Sequence, residues 1–235
     1  MLSIIIPSFN EEKYIGKLLE CLKNQTFRDF EVLLVDSSED KTKEIAEKYR
    51  KILDLKIINS DKKNVSYQRN FGLKNAKNEN LLFLDADTIF DEGFLENAVN
   101  EIKNRNIKIA GVLLYPCSSN ILDKLFFSLF RIYLKALHKK IGLNGCCIFS
   151  LKSLHEKVKG FDEEILVSED FDYTKRLRRF ASINLLKSVS IKTSTRRFEK
   201  YGRLNTGIKI MLIGLYTLFF GKIKKDIFHY RLGDR

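Results

Sequence analysis

Four short, nearly unbroken apolar runs alternate with helix-patterned stretches across the first 110 residues of this 235-residue chain: Leu2–Pro7, Glu31–Val35, Leu55–Ile58 and Asn80–Leu84. Between and after them the pattern predicts helices. One opens at Asn10-Glu11-Glu12 and carries Leu18, Leu19 and Leu22, and others cover Thr42–Tyr49, Ser66–Asn75 and Phe94–Asn104. A strand that reads apolar at every position is buried on both faces. Strands of that kind separated by helices predict an α/β fold with a mostly parallel sheet flanked by helices. Ligands of such sheets bind beyond the carboxyl ends of the strands. The chain places Ser8-Phe9-Asn10, Asp36-Ser37-Ser38 and Asp85-Ala86-Asp87 at those ends.

The second half is less regular. Ile109–Leu114 and Gly145–Ser150 read as strands, Ile121–Lys140 as a long helix, Gly160-Phe161-Asp162 as a turn and Asp170–Phe180 as a basic helix. No repeat or Gly/Ser linker interrupts the chain, so one domain is expected, with a C-terminal extension starting near Arg203. The net charge of +12 falls entirely in residues 171–235, and the first 170 residues balance. A neutral body with a basic end seeks phosphates, on lipid headgroups, RNA or a phosphorylated substrate, unless the charge is only a solvated face. Cys21, Cys117, Cys146 and Cys147 form no CxxC pair, and no signal peptide opens the chain. Reduced thiols in a cytosolic protein are therefore expected, without zinc or redox chemistry.

Asp85 and Asp87 follow a buried strand two residues apart. Carboxylates held together repel unless a cation lies beside them, and a hard divalent ion with oxygen ligands, Mg²⁺ or Mn²⁺, answers that need. A lone DxD triplet is served equally well by a turn or a helix cap. The context adds Asp36, Asp61, Arg69-Asn70 and Glu169-Asp170.

Taken in order, Pro7-Ser8-Phe9-Asn10-Glu11-Glu12, Val35-Asp36-Ser37-Ser38, Arg69-Asn70-Phe71-Gly72 and Asp85-Ala86-Asp87 resemble the nucleotide-sugar-binding half of family 2 glycosyltransferases, which have the GT-A fold. Asn144-Gly145, Gly160-Phe161-Asp162-Glu163 and Glu169-Asp170 continue the match to about residue 200. The resemblance implies a GT-A domain over 1–202, with a nucleotide-sugar-binding half (1–110) and an acceptor half (111–202), and a basic, apolar extension over 203–235. It implies that Pro7, Phe9 and Glu11 line the base and ribose pocket and that Asp36 bonds the base, UDP or GDP. Asp85 would hold ribose hydroxyls or the metal, with Ala86 between it and Asp87, and Asp87 would hold the Mn²⁺ or Mg²⁺ that bridges the diphosphate. Arg69 would sit near the diphosphate or Asp85. Asp170 is implied as the general base of an inverting transfer, with Gly145, Glu169, Arg176, Arg196 and Arg197 on the acceptor and leaving-group side.

Two departures matter. No Q-x-x-R-W follows Asp170, which favours single addition over processive synthesis. No histidine lies in Thr193–Arg197, where relatives often supply a third metal ligand; His138, His155 and His229 lie elsewhere.

Ile121–Lys140 carries Lys124, Arg131, Lys135 and Lys139 along an otherwise apolar helix, and Ile210–Gly221 is an apolar segment ahead of Lys222, Lys224 and Lys225. Both suit the interface of an anionic membrane, which would place the protein peripherally on the inner face of the cell membrane and make a lipid-linked acceptor natural. Packing into the core or a homodimer interface is the alternative for both. Transfer to a polyprenyl phosphate is a second enzymatic alternative. A nucleic-acid-binding role lacks any reading motif, so no nucleic-acid partner is expected.

Overall fold

The computed structural model describes residues 1–225 and 227–228. The chain runs β1 (Leu2–Ser8), α1 (Ile15–Lys23), β2 (Phe30–Asp36), α2 (Thr42–Glu47), β3 (Leu55–Asn59), α3 (Val65–Lys74) and β4 (Asn80–Leu84). It continues through β5 (Thr88–Ile89), α4 (Phe94–Asn104), β6 (Ile109–Pro116), α5 (Ile121–Ile141), β7 (Cys147–Leu151), α6 (Lys152–Lys157) and α7 (Glu169–Leu177). It closes with β8 (Ile183–Thr193), α8 (Arg196–Tyr201) and α9 (Arg203–Phe220). His229 and the end of the expected extension lie outside the described residues.

The strands form one sheet in the order β3-β2-β1-β4-β7-β6-β8-β5. β1, β2, β3 and β4 are mutually parallel, in keeping with the nearly continuous apolar runs of β1, β2 and β4, while the edge strand β3 carries the exposed Lys56. Along β1 the side chains alternate between two cores. Ile4 and Ile6 join Leu18, Leu34 and Leu95 on one face, and Ile5 joins Leu33, Leu73 and Phe83 on the other. The register sets Ser8 beside Asp36 at the carboxyl end.

Beyond β4 the sheet departs from a simple parallel array. β7 lies antiparallel between β4 and β6, β8 is parallel to β6, and the two-residue β5 pairs antiparallel with β8. β8 and β5 are not evident in the sequence. β8 mixes Lys187, Ser188, Ser190 and Lys192 into its length and shifts register against Gly111–Leu113, so it lacks the apolar continuity of the inner strands.

The first helix starts later than its sequence suggests. Asn10 has φ 55°, and the backbone amides of Asn10, Glu11 and Glu12 donate to Ser38 Oγ, Thr42 Oγ1 and Asp40 Oδ2. Those amides are bonded across to the loop after β2, so the helix proper begins at Ile15.

α3 lies close on the sheet through Gly72. A Cβ there would come within 2.6 Å of Ile5 Cγ2 and 3.0 Å of Val35 Cγ2. Gly72→Ala would gain about 1 kcal/mol of helix propensity. Overpacking a filled core costs about 1–3 kcal/mol, so the clash wins. Urea denaturation of Gly72→Ala is expected to show a lowered midpoint at unchanged m-value, and a raised midpoint would contradict this packing.

Candidate active site

Arg69, in the middle of α3, is only 1% exposed. A guanidinium in that position needs anionic partners. Its Nη2 lies 2.9 Å from Asp85 Oδ1 at the end of β4, and its Nη1 lies 2.9 Å from Glu169 Oε1 at the start of α7. Nη2 also donates to the Gly145 carbonyl at 3.3 Å, and the guanidinium carbon stands 5.1 Å from the Phe161 ring centre. Burial alone would lower its pKa, but Asp85, Glu169 and Asp170 outweigh burial and hold it charged. One arginine thus ties together three chain segments far apart in sequence.

Glu169 and Asp170 open α7 behind Ser168, whose φ of 67° is left-handed. Two acidic groups at a helix N-terminus face favourable backbone dipoles. The Asp170 carboxylate accepts from the Gly145 amide and from the Phe171 amide. Position 145 has to be glycine, because a Cβ there would meet Arg69 Nη2 at 2.8 Å and Asp170 Oδ2 at 3.0 Å. Burial, followed by the neighbouring Glu169 charge, pushes the Asp170 pKa up to about 8 against the opposing pull of Arg69 and the two amides.

Asp87 lies two residues beyond Asp85. Ser194 Oγ donates to its Oδ2 at 2.7 Å, and Arg196 Nη2 lies 3.3 Å from the same oxygen. Arg196 also grips Glu11 with both terminal nitrogens, at 2.6 and 3.0 Å. Cys146 is half-buried beside Asp85, Asp87 and Asp170. Burial raises its pKa well above the ordinary value, and Asp85, Asp87 and Asp170 each add to that, so it is a protonated, unreactive thiol.

A cavity of about 1400 Å³ opens over these groups. Pro7, Phe9, Arg69, Asp85, Ala86 and Asp87 line one part of it. Gly145, Glu169, Asp170, Arg176, Arg196 and Arg197 line another. Asp36 and Glu11 do not line it. Asp36 Oδ1 accepts from the hydroxyls of Ser8 and Ser38 at 2.5 and 2.6 Å, and Glu11 is held by Arg196. Arg176 pairs with Asp172 through Nε at 2.7 Å and donates to the Val158 carbonyl through Nη1 at 2.6 Å, while its buried Nη2 has no hydrogen-bond partner among the described residues. His155 is buried against the Tyr173 hydroxyl at 3.0 Å, and burial lowers its pKa to about 4.

Among the described residues no group of three or more His, Cys, Asp or Glu side chains could enclose a metal ion. Asp85 and Asp87 still offer hard carboxylate oxygens on one cavity wall. Mg²⁺ and Mn²⁺ commonly take one or two carboxylates and fill the remaining positions with water and phosphate oxygens, so this donor pair fits such an ion. Thr193–Arg197, which holds no histidine, packs against Asp87 through Thr193, Ser194 and Arg196. The role of Ser194 has no signal in the sequence, because it is a single hydroxyl at the end of a strand that the pattern does not reveal.

The model of glycosyl transferase family 2 matches residues 3–147. The chain belongs to this family. A Methanococcus voltae protein described as dolichyl N-acetyl-α-D-glucosaminyl phosphate 3-β-D-2,3-diacetamido-2,3-dideoxy-β-D-glucuronosyltransferase is 27% identical over 223 residues, which are 85% of this chain and 70% of that protein. Among solved structures, Staphylococcus aureus TarS residues 1–349 in complex with UDP-GlcNAc superpose with a TM-score of 0.69 at 24% identity, over 92% of this chain and 66% of that one. The mannosyltransferase PcManGT of Pyrobaculum calidifontis, in complex with GDP-Man and Mn²⁺, gives 0.72 at 18% identity over 92% and 63%. At these identities the structural matches establish the shared GT-A fold. By sequence, full-length Staphylococcus aureus TarS is 38% identical over 120 residues, which are 47% of this chain and only 21% of that protein.

Arg69→Met would leave Asp85 and Glu169 facing each other without a counter-ion. Breaking a buried ion pair from one side costs about 3–5 kcal/mol, which for a domain of this size lowers Tm by roughly 10 °C. A thermal-melt shift under 2 °C or so would show that the arginine does not hold the site together.

Proposed function

We propose that this protein is an inverting, non-processive glycosyltransferase. It moves a sugar from a UDP- or GDP-sugar to the hydroxyl of a lipid-linked acceptor at the cytoplasmic face of a membrane. The observation that carries this reading is the convergence of Asp85, Asp87 and Asp170 on one cavity at the carboxyl ends of parallel strands. On this reading residues 1–202 form the transferase domain, with 1–110 binding the donor and 111–202 the acceptor, and 203–235 are the membrane-associating extension.

Pro7 and Phe9 offer an apolar wall for the nucleotide, and Asp36 anchors the loop against which the base lies. Asp85 and Asp87 would hold Mn²⁺ or Mg²⁺. When bound, that ion supplies positive charge to the departing diphosphate, the electrostatic assistance on which such transfers depend. Arg196 and Arg197 line the same region and suit bidentate contact with phosphate oxygens. Asp170 takes the proton of the attacking hydroxyl. A general base works best with a pKa near the working pH, and the environment of Asp170 raises its pKa toward that range. With one carboxylate as base and no second nucleophile, the sugar is inverted.

The membrane reading rests on two exposed stripes. Ile121, Leu125 and Ile132 stand out from α5 at helical spacing, and Leu204, Leu212 and Phe219 from α9. Lys124, Lys135 and Lys139 flank the first stripe. Among the described residues no helix is long and apolar enough to cross a membrane. The helices suit the interfacial plane, apolar side down, with lysines against anionic headgroups. The dolichyl-linked acceptor in the name of the Methanococcus voltae relative agrees with a lipid-linked substrate.

A second acceptor, a polyprenyl phosphate that attacks directly, is favoured by Lys175 on α7 and by Arg178 and Arg179 just beyond it, which line the cavity. A phosphate needs no base. Asp170→Asn separates the two: transfer to a hydroxyl is expected to fall about 10²–10⁴-fold, whereas transfer to polyprenyl phosphate would survive. Asp87→Ala is expected to abolish the Mn²⁺-dependent rise in Tm with UDP or GDP. If neither substitution alters turnover, the roles are misassigned.

With Asp170 as base, kcat/KM should climb about tenfold per pH unit below about 8 and then level off. A flat profile between pH 6 and 8 would exclude it. The native state keeps a proton here that the unfolded chain has already released, so stability falls as pH rises from the ordinary carboxylate range toward 8. Asp170→Asn should flatten that slope. Vesicle co-sedimentation should show binding to anionic phosphatidylglycerol that salt weakens and Leu125→Asp with Leu212→Asp abolishes. Equal sedimentation of this double variant would exclude docking through these stripes.

A further inference from the structure

Helices α5 and α9 run side by side in the same direction. Asp123 Oδ1, fully buried, pairs with Arg203 Nε at 3.1 Å. A Cβ on Gly207 would collide with the Phe126 ring, and one on Gly214 would lie 3.7 Å from the Tyr133 hydroxyl. Position advances together along both helices, from 123 to 126 to 133 and from 203 to 207 to 214. The two glycines face two aromatic rings seven residues apart. At Gly207 the contact is tight, and at Gly214 the absent side chain leaves a furrow.

That furrow is continuous with the catalytic cavity. Phe126, Phe130 and Tyr133 from α5 and Ile210, Ile213 and Gly214 from α9 line the same space as Asp85, Asp87 and Asp170. A nucleoside diphosphate sugar has only its base to set against apolar walls, and on the proposed reading Pro7 and Phe9 already serve the base. Lys175, Arg178 and Arg179 line the space as well. The ligand that matches all three regions has a sugar or phosphate at the carboxylates, negative charge at the basic residues and a flexible apolar tail between the helices.

We infer that the groove between α5 and α9 binds the isoprenoid tail of a polyprenyl-phosphate-linked acceptor and leads its head to Asp170. The inference rests on the transferase reading, and it holds whether a sugar hydroxyl or the phosphate itself is the nucleophile. From Phe126 to Tyr133 the groove runs roughly 10 Å at 1.5 Å per residue, so it seats the first isoprene units and leaves the remainder to the bilayer. This tail site differs from the outer stripes: Ile121, Leu125, Ile132 and Leu212 do not line the cavity.

The test uses the full chain with Mn²⁺ and a benzophenone-bearing farnesyl phosphate, irradiated and mapped by peptide mass spectrometry. Adducts are expected within residues 126–133 and 207–217, suppressed by unlabelled undecaprenyl phosphate and unaffected by inorganic phosphate. Adducts confined to the outer stripes, or unchanged by the competitor, would overturn the assignment. Gly214→Leu, which fills the furrow without touching a catalytic group, should weaken this labelling about tenfold or more, a loss of a few buried methylenes. Its thermal shift with UDP or GDP should match the wild type, which also reports that it is folded. Undiminished labelling in that folded variant would overturn the assignment as well, and if it does not fold, the wild-type adduct map decides. Nucleotide binding with no groove adducts sinks only the tail site. Absence of nucleotide binding sinks the transferase reading on which it rests.

Discussion

Arg69 is the fixed point of the catalytic region. It rises from α3, is buried, and reaches Asp85 just past β4 with one terminal nitrogen and Glu169 at the start of α7 with the other. Within the site this side chain links the end of the parallel strands to the less regular second half, with Gly145 close against it. A buried charge of this kind adds little net stability, since the desolvation of three ions opposes their attraction. Its value is positional. It fixes where β4 ends relative to where α7 begins, and so fixes the separation of Asp85 from Asp170.

The same arrangement explains the environment of Asp170. Glu169 spends its interaction on Arg69, while Asp170 is left with two backbone amides and the edge of the cavity. Two adjacent carboxylates therefore acquire different surroundings, one paired with Arg69 and the other raised in pKa by burial and by its neighbour. Acid–base sites commonly separate like groups in this way.

The inner strands are readable because burial on both faces leaves few polar residues in a strand, and β1, β2 and β4 show that pattern, with Ser3 and Glu31 bonded to each other as buried exceptions. Asp85, Asp87 and Asp170 stood out through their spacing and order. Three kinds of feature were not readable. β8 faces solvent along part of its length, so its lysines and serines disguise it. The direction of β7 depends on how the chain returns after α5, which no local pattern encodes. The clasp of Arg196 on Glu11 joins residues 185 positions apart, and such a contact has no periodicity to betray it. The late start of α1 is a local case of the same kind, because the amides of Asn10–Glu12 find partners across a loop rather than within a helix.

Arg196 has a consequence for how any ligand enters. Arg69 is shared by Asp85 and Glu169, and Arg196 by Glu11 and Asp87, so two guanidiniums serve four carboxylates and the acidic wall is only partly neutralised. On the proposed reading, a divalent cation would offset the remaining negative charge, and Arg196, once drawn off its carboxylates, would be free to meet phosphate oxygens. Capture of a nucleotide would then depend on the cation being present and would slow as ionic strength rises.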